Sequence, residues 1–107
     1  MAKFVFTYHG GGGADMATQA SQEEIAAEMA KWEAWYGELG ASIVDGGNPF
    51  GETKNVDANG VTGPNDNPAT GYTIIDASDI DAAVAAAKGC PILESGGSVE
   101  VAQAIDM

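Results

Sequence analysis

Residues 3–9 (KFVFTYH) constrain this chain more tightly than any other stretch. Successive side chains of a strand point to opposite faces, so Phe4, Phe6 and Tyr8 share one face and Val5, Thr7 and His9 the other. An aromatic row needs a cover of helices. The second face is mixed and ends on His9, the only histidine of the chain.

The residues that follow predict how the cover is made. Gly10 to Gly13 end the strand and read as a connector or lid. A phosphate-binding loop is not indicated, because the lysine of GxxxxGK[ST] is missing and the next helix starts later. Ser21 and Glu24 form a capping box, and Glu23 and Glu24 suit the positive end of a helix dipole. Ile25, Met29, Trp32, Tyr36 and Leu39 then recur at helical spacing and predict the buried stripe, with Trp35 at its edge. Glu28, Lys31, Glu33 and Glu38 fall off the stripe, towards water, and Gly40 is a helix stop. Residues 41–45 read as a short strand closed by Gly46 and Gly47. Asn59-Gly60 predicts a hairpin turn between residues 53–57 and 61–62. Residues 71–76 read as a strand, and Ser78 as the cap of a second helix buried through Ile80, Ala83, Val84 and Ala87. Lys88, Gly89 and Pro91 end it, and residues 98–105 form the last strand.

Without the hairpin this order is β-α-β-β-α-β, an α+β ferredoxin-like arrangement in one domain, residues 1–107. Right-handed crossovers put the first strand at the centre of an antiparallel sheet, with both helices on one face. The other face is left open, and Val5 and Ile75 are expected on it. An uncovered face of that size calls for a partner, and a second copy of the chain is the economical one.

Composition narrows the function classes. Asp+Glu number 16 against Lys+Arg 4, a formal net charge of -12. Nucleic acid and anionic membranes are bound by clustered Lys and Arg, so both are excluded as partners. Cys90 is the only cysteine, so no internal disulfide can form. No leader-like apolar segment or membrane-length apolar run is read, and a cytoplasmic location is expected.

Several segments resemble a known family. Gly89-Cys90-Pro91, Gly96 to Val101 (GGSVEV), Gly46-Gly47-Asn48-Pro49, Val61 to Pro64 and Gly71 to Asp76 occur here in an order similar to that of YCII-related proteins of the DGPF branch. The resemblance runs over nearly the whole chain, and GGSVEV is its most specific part. It implies a dimeric α/β barrel built from ferredoxin-like domains, with a pocket between sheet and partner. Some relatives are suspected enzymes that use a histidine on the first helix with an aspartate. Met29 and Cys90 stand at the comparable places here.

Strand parity supplies site candidates independently. If Phe4, Phe6, Val99 and Val101 face the helices, then Thr7, His9, Ser98 and Glu100 face the open side. A carboxylate beside an imidazole can create a general base, so His9 and Glu100 are the catalytic candidates. Thr7, Ser98, Asp45 and Tyr72 are candidate ligand contacts. No calcium loop is matched and one His with one Cys makes a poor zinc set, so no metal and no cofactor are expected. Cys90 follows a helix C-terminus, where the dipole disfavours a thiolate, and reads as an idle thiol. Two functions fit: a small-molecule binder with its pocket at the dimer interface, or a cofactor-independent lyase, isomerase or oxygenase acting on a small aromatic or quinone-like substrate through His9.

Overall fold

The computed structural model describes residues 1–10 and 21–106. Most of the glycine-rich connector therefore lies outside the described residues. Among the described residues there are six strands and two α-helices: β1 (Ala2–His9), α1 (Gln22–Leu39), β2 (Ile43–Asp45), β3 (Asn55–Asp57), β4 (Gly60–Thr62), β5 (Ala69–Ala77), α2 (Ile80–Ala87) and β6 (Ser98–Ala104). Short 3₁₀ turns at Gly40–Ser42 and Pro91–Leu93 follow the helices.

Four strands form one antiparallel sheet in the order β2-β5-β1-β6, while β3 and β4 pair separately. The central place of β1 between β5 and β6 is the one expected from the crossover rule. The whole is an α+β arrangement compatible with a ferredoxin-like fold.

Alternation sorts β1 as its sequence predicts. Phe4, Phe6 and Tyr8 are buried, while Val5, Thr7 and His9 are half-buried. Ile75 corrects the sequence reading. It pairs with Phe4 and is buried on the helix side, and Ile74 takes its expected place opposite Val5. Trp35 of α1 and Ala83 and Ala87 of α2 join Phe4, Phe6 and Ile75 in the core, so both helices cover the same face. Burying an aromatic side chain of this size is worth about 1.5–3 kcal/mol.

Helix α1 starts as expected: the Ser21 hydroxyl accepts from the Glu24 N–H at 3.2 Å. Its buried face is rotated from the predicted stripe. Trp35 is the buried residue, stacked on Phe6 with ring centroids 6.1 Å apart, whereas Met29 is 59% exposed. The Trp35 indole N–H donates to the Ala86 carbonyl at 3.0 Å and ties α1 to α2. That tie turns the helix so that Trp35, not Met29, faces the sheet. Helix α2 is capped by Asp79 rather than Ser78, its carboxylate accepting from the Ala82 N–H at 2.8 Å. It is too short to bury a full stripe. Ala83 and Ala87 pack, but Ile80 and Val84 are exposed. The β3–β4 turn is one residue earlier than predicted: Asp57 pairs with Gly60, so Ala58 and Asn59 are the loop, and the Asp57 carboxylate accepts from the Asn59 N–H at 2.8 Å.

Candidate functional site: an aromatic cleft between the first helix and the sheet edge

The sheet edge beyond β2 is drawn in against β5. Phe50 N–H donates to the Thr70 carbonyl at 2.9 Å, Tyr72 N–H donates to the Asn48 carbonyl at 3.4 Å, and Pro49 bridges to Gly71. Two glycines permit this approach. Gly47 has φ +75°, and a Cβ there would sit 1.6 Å from the Tyr72 carbonyl oxygen. A Cβ at Gly71 would crowd the Asn48 carbonyl at 3.2 Å. Opposite this edge stands α1, and the gap between them is a cleft of ≈ 420 Å³. That size is within the usual range for small-molecule sites.

Ile25, Met29, Trp32 and Tyr36 form the helix wall. Asn48, Pro49 and Gly71 form the opposite wall, with Tyr8 and Ile92 between. The rings hold one another: Tyr8 meets Trp32 edge-on at 5.1 Å, and Trp32 lies 6.1 Å from Tyr36. Such aromatic contacts add about 0.5–1.5 kcal/mol beyond burial and fix the wall's shape.

Hydroxyl groups lie behind the apolar wall. Tyr8 donates to the fully buried Thr73 hydroxyl at 2.6 Å, and Thr73 donates to the Gly46 carbonyl at 3.0 Å. The Tyr36 hydroxyl donates to the same carbonyl at 3.3 Å. Among the described residues no buried side-chain N or O atom lacks a partner. Burial holds the Tyr8 phenol far above its ordinary range, outweighing the Thr73 hydrogen bond. Tyr8 therefore stays neutral and acts as a hydrogen-bonding group. Among the described residues Glu28 is the one charged residue of the lining, half-buried, with the Trp32 indole N–H donating to it at 3.3 Å.

Glu28 falls off the predicted stripe and yet lines the cleft, which makes it the candidate residue that the periodicity passes over. The signal was present: Glu28, Trp32, Trp35 and Leu39 follow one another at spacings of four, three and four. That is as good a helical face as the stripe through Met29. The charge of Glu28 concealed it.

The residues singled out from sequence gather on the other side of the sheet. Thr7 pairs with Glu100 and with Tyr72, and His9 pairs with Ser98, so these five share the open face. The His9 ring is bound to Thr7 at Nε2, 3.2 Å, and to the Asn67 carbonyl at Nδ1, 2.9 Å. A carbonyl only accepts, so Nδ1 carries a proton and Thr7 can donate to Nε2. Glu100 is a diagonal neighbour of His9, on the order of 7–8 Å away by ordinary sheet geometry. Asp45 is brought to Tyr72, whose hydroxyl donates to it at 3.2 Å. That bond and the carboxylate's charge raise the Tyr72 phenol above its ordinary range. Of the sequence candidates only Tyr72 also borders the cleft. Cys90 is buried, and burial pushes its thiol up to about 11, the opposite of an activated nucleophile. No cluster of three or more His, Cys, Asp or Glu suited to a metal occurs among the described residues. Among the described residues no helix is long and apolar enough to cross a membrane.

No protein-family model and no curated protein matches this chain. The fold is similar to that of 5-chloro-2-hydroxyhydroquinone dehydrochlorinase from Burkholderia phenoliruptrix AC1100, solved in complex with 2,5-dihydroxybenzoquinone. The TM-score is 0.56 at 18% identity, over 98% of this chain and 94% of the other. At that identity the likeness establishes a related fold.

Proposed function

We propose that this chain is a YCII-related, DGPF-like domain over residues 1–107, with the β3–β4 pair as an insertion, acting in the cytoplasm. Its cleft holds a small aromatic or quinone-like molecule and acts on it without a cofactor, by chemistry of the lyase, isomerase or oxygenase type. The observation that carries this reading is the cleft itself: rings of Tyr8, Trp32 and Tyr36 around a space of ligand size, with one carboxylate at its wall. The dehydrochlorinase with a related fold, whose structure holds a benzoquinone, favours an enzyme over a binder without chemistry. Within the cleft the proton acceptor is Glu28, half-buried and oriented by Trp32.

A second reading keeps His9 as general base, with Glu100 beside it and Thr7, Ser98, Asp45 and Tyr72 as ligand contacts. It is favoured by the gathering of these side chains on the uncovered face, and it needs a homodimer to enclose them. Trp32 borders the cleft, so its emission is the binding readout, with absorbance following turnover of hydroquinones and chlorinated hydroquinones. Saturable quenching that disappears in Trp32→Phe is the expected result. Turnover lost in Glu28→Gln but kept in His9→Ala supports the cleft; the reverse pattern supports the open face. No saturable binding of any such ring would overturn the proposal.

A further inference from the structure

The cleft has an unusual electrical character. Among the described residues its lining holds Glu28 and no basic side chain. The four lysines lie outside the lining: Lys31, which also feels the charge of Glu28, is paired with Glu94 at 3.0 Å, Lys54 lies 4.0 Å from Glu52, Lys88 caps α2, and Lys3 is at the far end of β1 opposite Asp76. Arginine is absent, and residues 11–20 hold no Lys, Arg or His. The imidazole of His9 lies on the opposite face of the sheet. The positive end of α1 carries Glu23 and Glu24, which offset its dipole.

Among the described residues the hydroxyl and indole donors around the cleft are also engaged, which leaves the Asn48 amide as the side-chain donor of the lining. Tyr8 donates to Thr73, Tyr36 to the Gly46 carbonyl, Thr70 to the Tyr8 carbonyl at 3.1 Å, and Trp32 to Glu28. What these groups still offer an incoming molecule are lone pairs on phenol and carboxylate oxygens. An anion would meet a carboxylate and no counter-charge in a partly desolvated space, where such repulsion is stronger than in water. A ring carrying O–H groups would meet acceptors.

We infer that the cleft takes a neutral aromatic with free O–H donors, of the phenol or hydroquinone class, and rejects ring carboxylates and ionised hydroxyquinones, with Glu28 as the discriminating residue. This deepens the reading of the cleft as an aromatic site and rests on it. The occupant is thus the reduced, protonated form of a redox-active ring.

Calorimetric titration at pH 7 under argon tests this with three probes on one ring: hydroquinone, 2,5-dihydroxybenzoate, which adds a carboxylate, and 1,4-dimethoxybenzene, which lacks donors. Hydroquinone is expected to bind at least about tenfold tighter than either other ring, about 1.4 kcal/mol. Glu28→Gln retains an acceptor oxygen for Trp32 and is expected to shrink the gap between hydroquinone and the carboxylate to about threefold or less. Equal or tighter binding of the carboxylate by the unmodified protein overturns the inference without any variant. An unchanged gap in a folded Glu28→Gln protein overturns the role of Glu28. If none of the three rings binds, the aromatic-site reading itself fails.

Discussion

The two faces of the four-stranded sheet come from the same strands and the same alternation, yet they differ in finish. On the covered face Phe4, Phe6, Tyr8, Thr73 and Ile75 are all buried, and the polar atoms among them are paired. On the other face Val5, Thr7, His9, Tyr72 and Ile74 are only half-buried. The covered face carries the stability and also the cleft, because α1 meets the sheet fully at Trp35 and leaves a gap near Met29. The open face collects the polar candidates without a wall to enclose them. A row of chemistry-bearing residues and a cavity are therefore separate properties of this fold, and a reading that finds the first has not found the second.

Removing the largest covered side chain should break the comparison hardest. Trp35→Ala is expected to cost about 3–5 kcal/mol in urea unfolding, through the void and the lost Ala86 hydrogen bond. A loss below 1 kcal/mol would mean that α1 does not seat on the sheet as described. Gly47→Ala comes next. The left-handed φ and the clash with the Tyr72 carbonyl predict a loss of about 3 kcal/mol together with a loosened cleft edge, read as a lower unfolding midpoint and weaker ring binding.

Alkaline titration follows. The Cys90 thiol is raised from 9.0 to about 11, so the folded chain keeps a proton that the unfolded chain releases. Its contribution to stability is complete below pH 9 and is lost as pH rises from 9 to about 11, at no more than about 1.4 kcal/mol per pH unit. Tyr8, also raised, steepens the loss above pH 10. The slope of the unfolding midpoint between pH 9 and 10 should flatten in Cys90→Ala. The smallest effect belongs to the open face. Thr7→Ala removes the Thr7–His9 hydrogen bond and should change stability by no more than about 0.5 kcal/mol in the single chain. A much larger change would mean that this face is covered in solution.

Element order and the order of strands were legible in the chain, because alternation in β1, the capping box at Ser21 and the glycine stops act locally. The failures lie where one element turns against another. The stripe through Met29 and the face through Glu28 and Trp35 are equally helical. The indole bond to Ala86, the stacking on Phe6 and the edge-on contact with Tyr8 favour the second, and all three join residues distant in sequence. Ile75 departs from its expected face for a simpler reason: β5 reads as a nearly continuous apolar run, Thr73-Ile74-Ile75, which carries no parity of its own. Its faces are fixed by register with Phe4. The cleft was out of reach because it depends on how closely the Gly47 backbone approaches Tyr72. The glycine pair was visible, but the need for it arises only in three dimensions.

Strand β6 lies at the border of the sheet, and its outer backbone groups pair with no other strand among the described residues. Such a border is a template for strand addition by another molecule. Here the net charge of -12 opposes that approach at neutral pH. Acidification towards the isoelectric point near 4.1 removes the repulsion while leaving the template intact, so turbidity and fibre-like growth should begin there before the core melts.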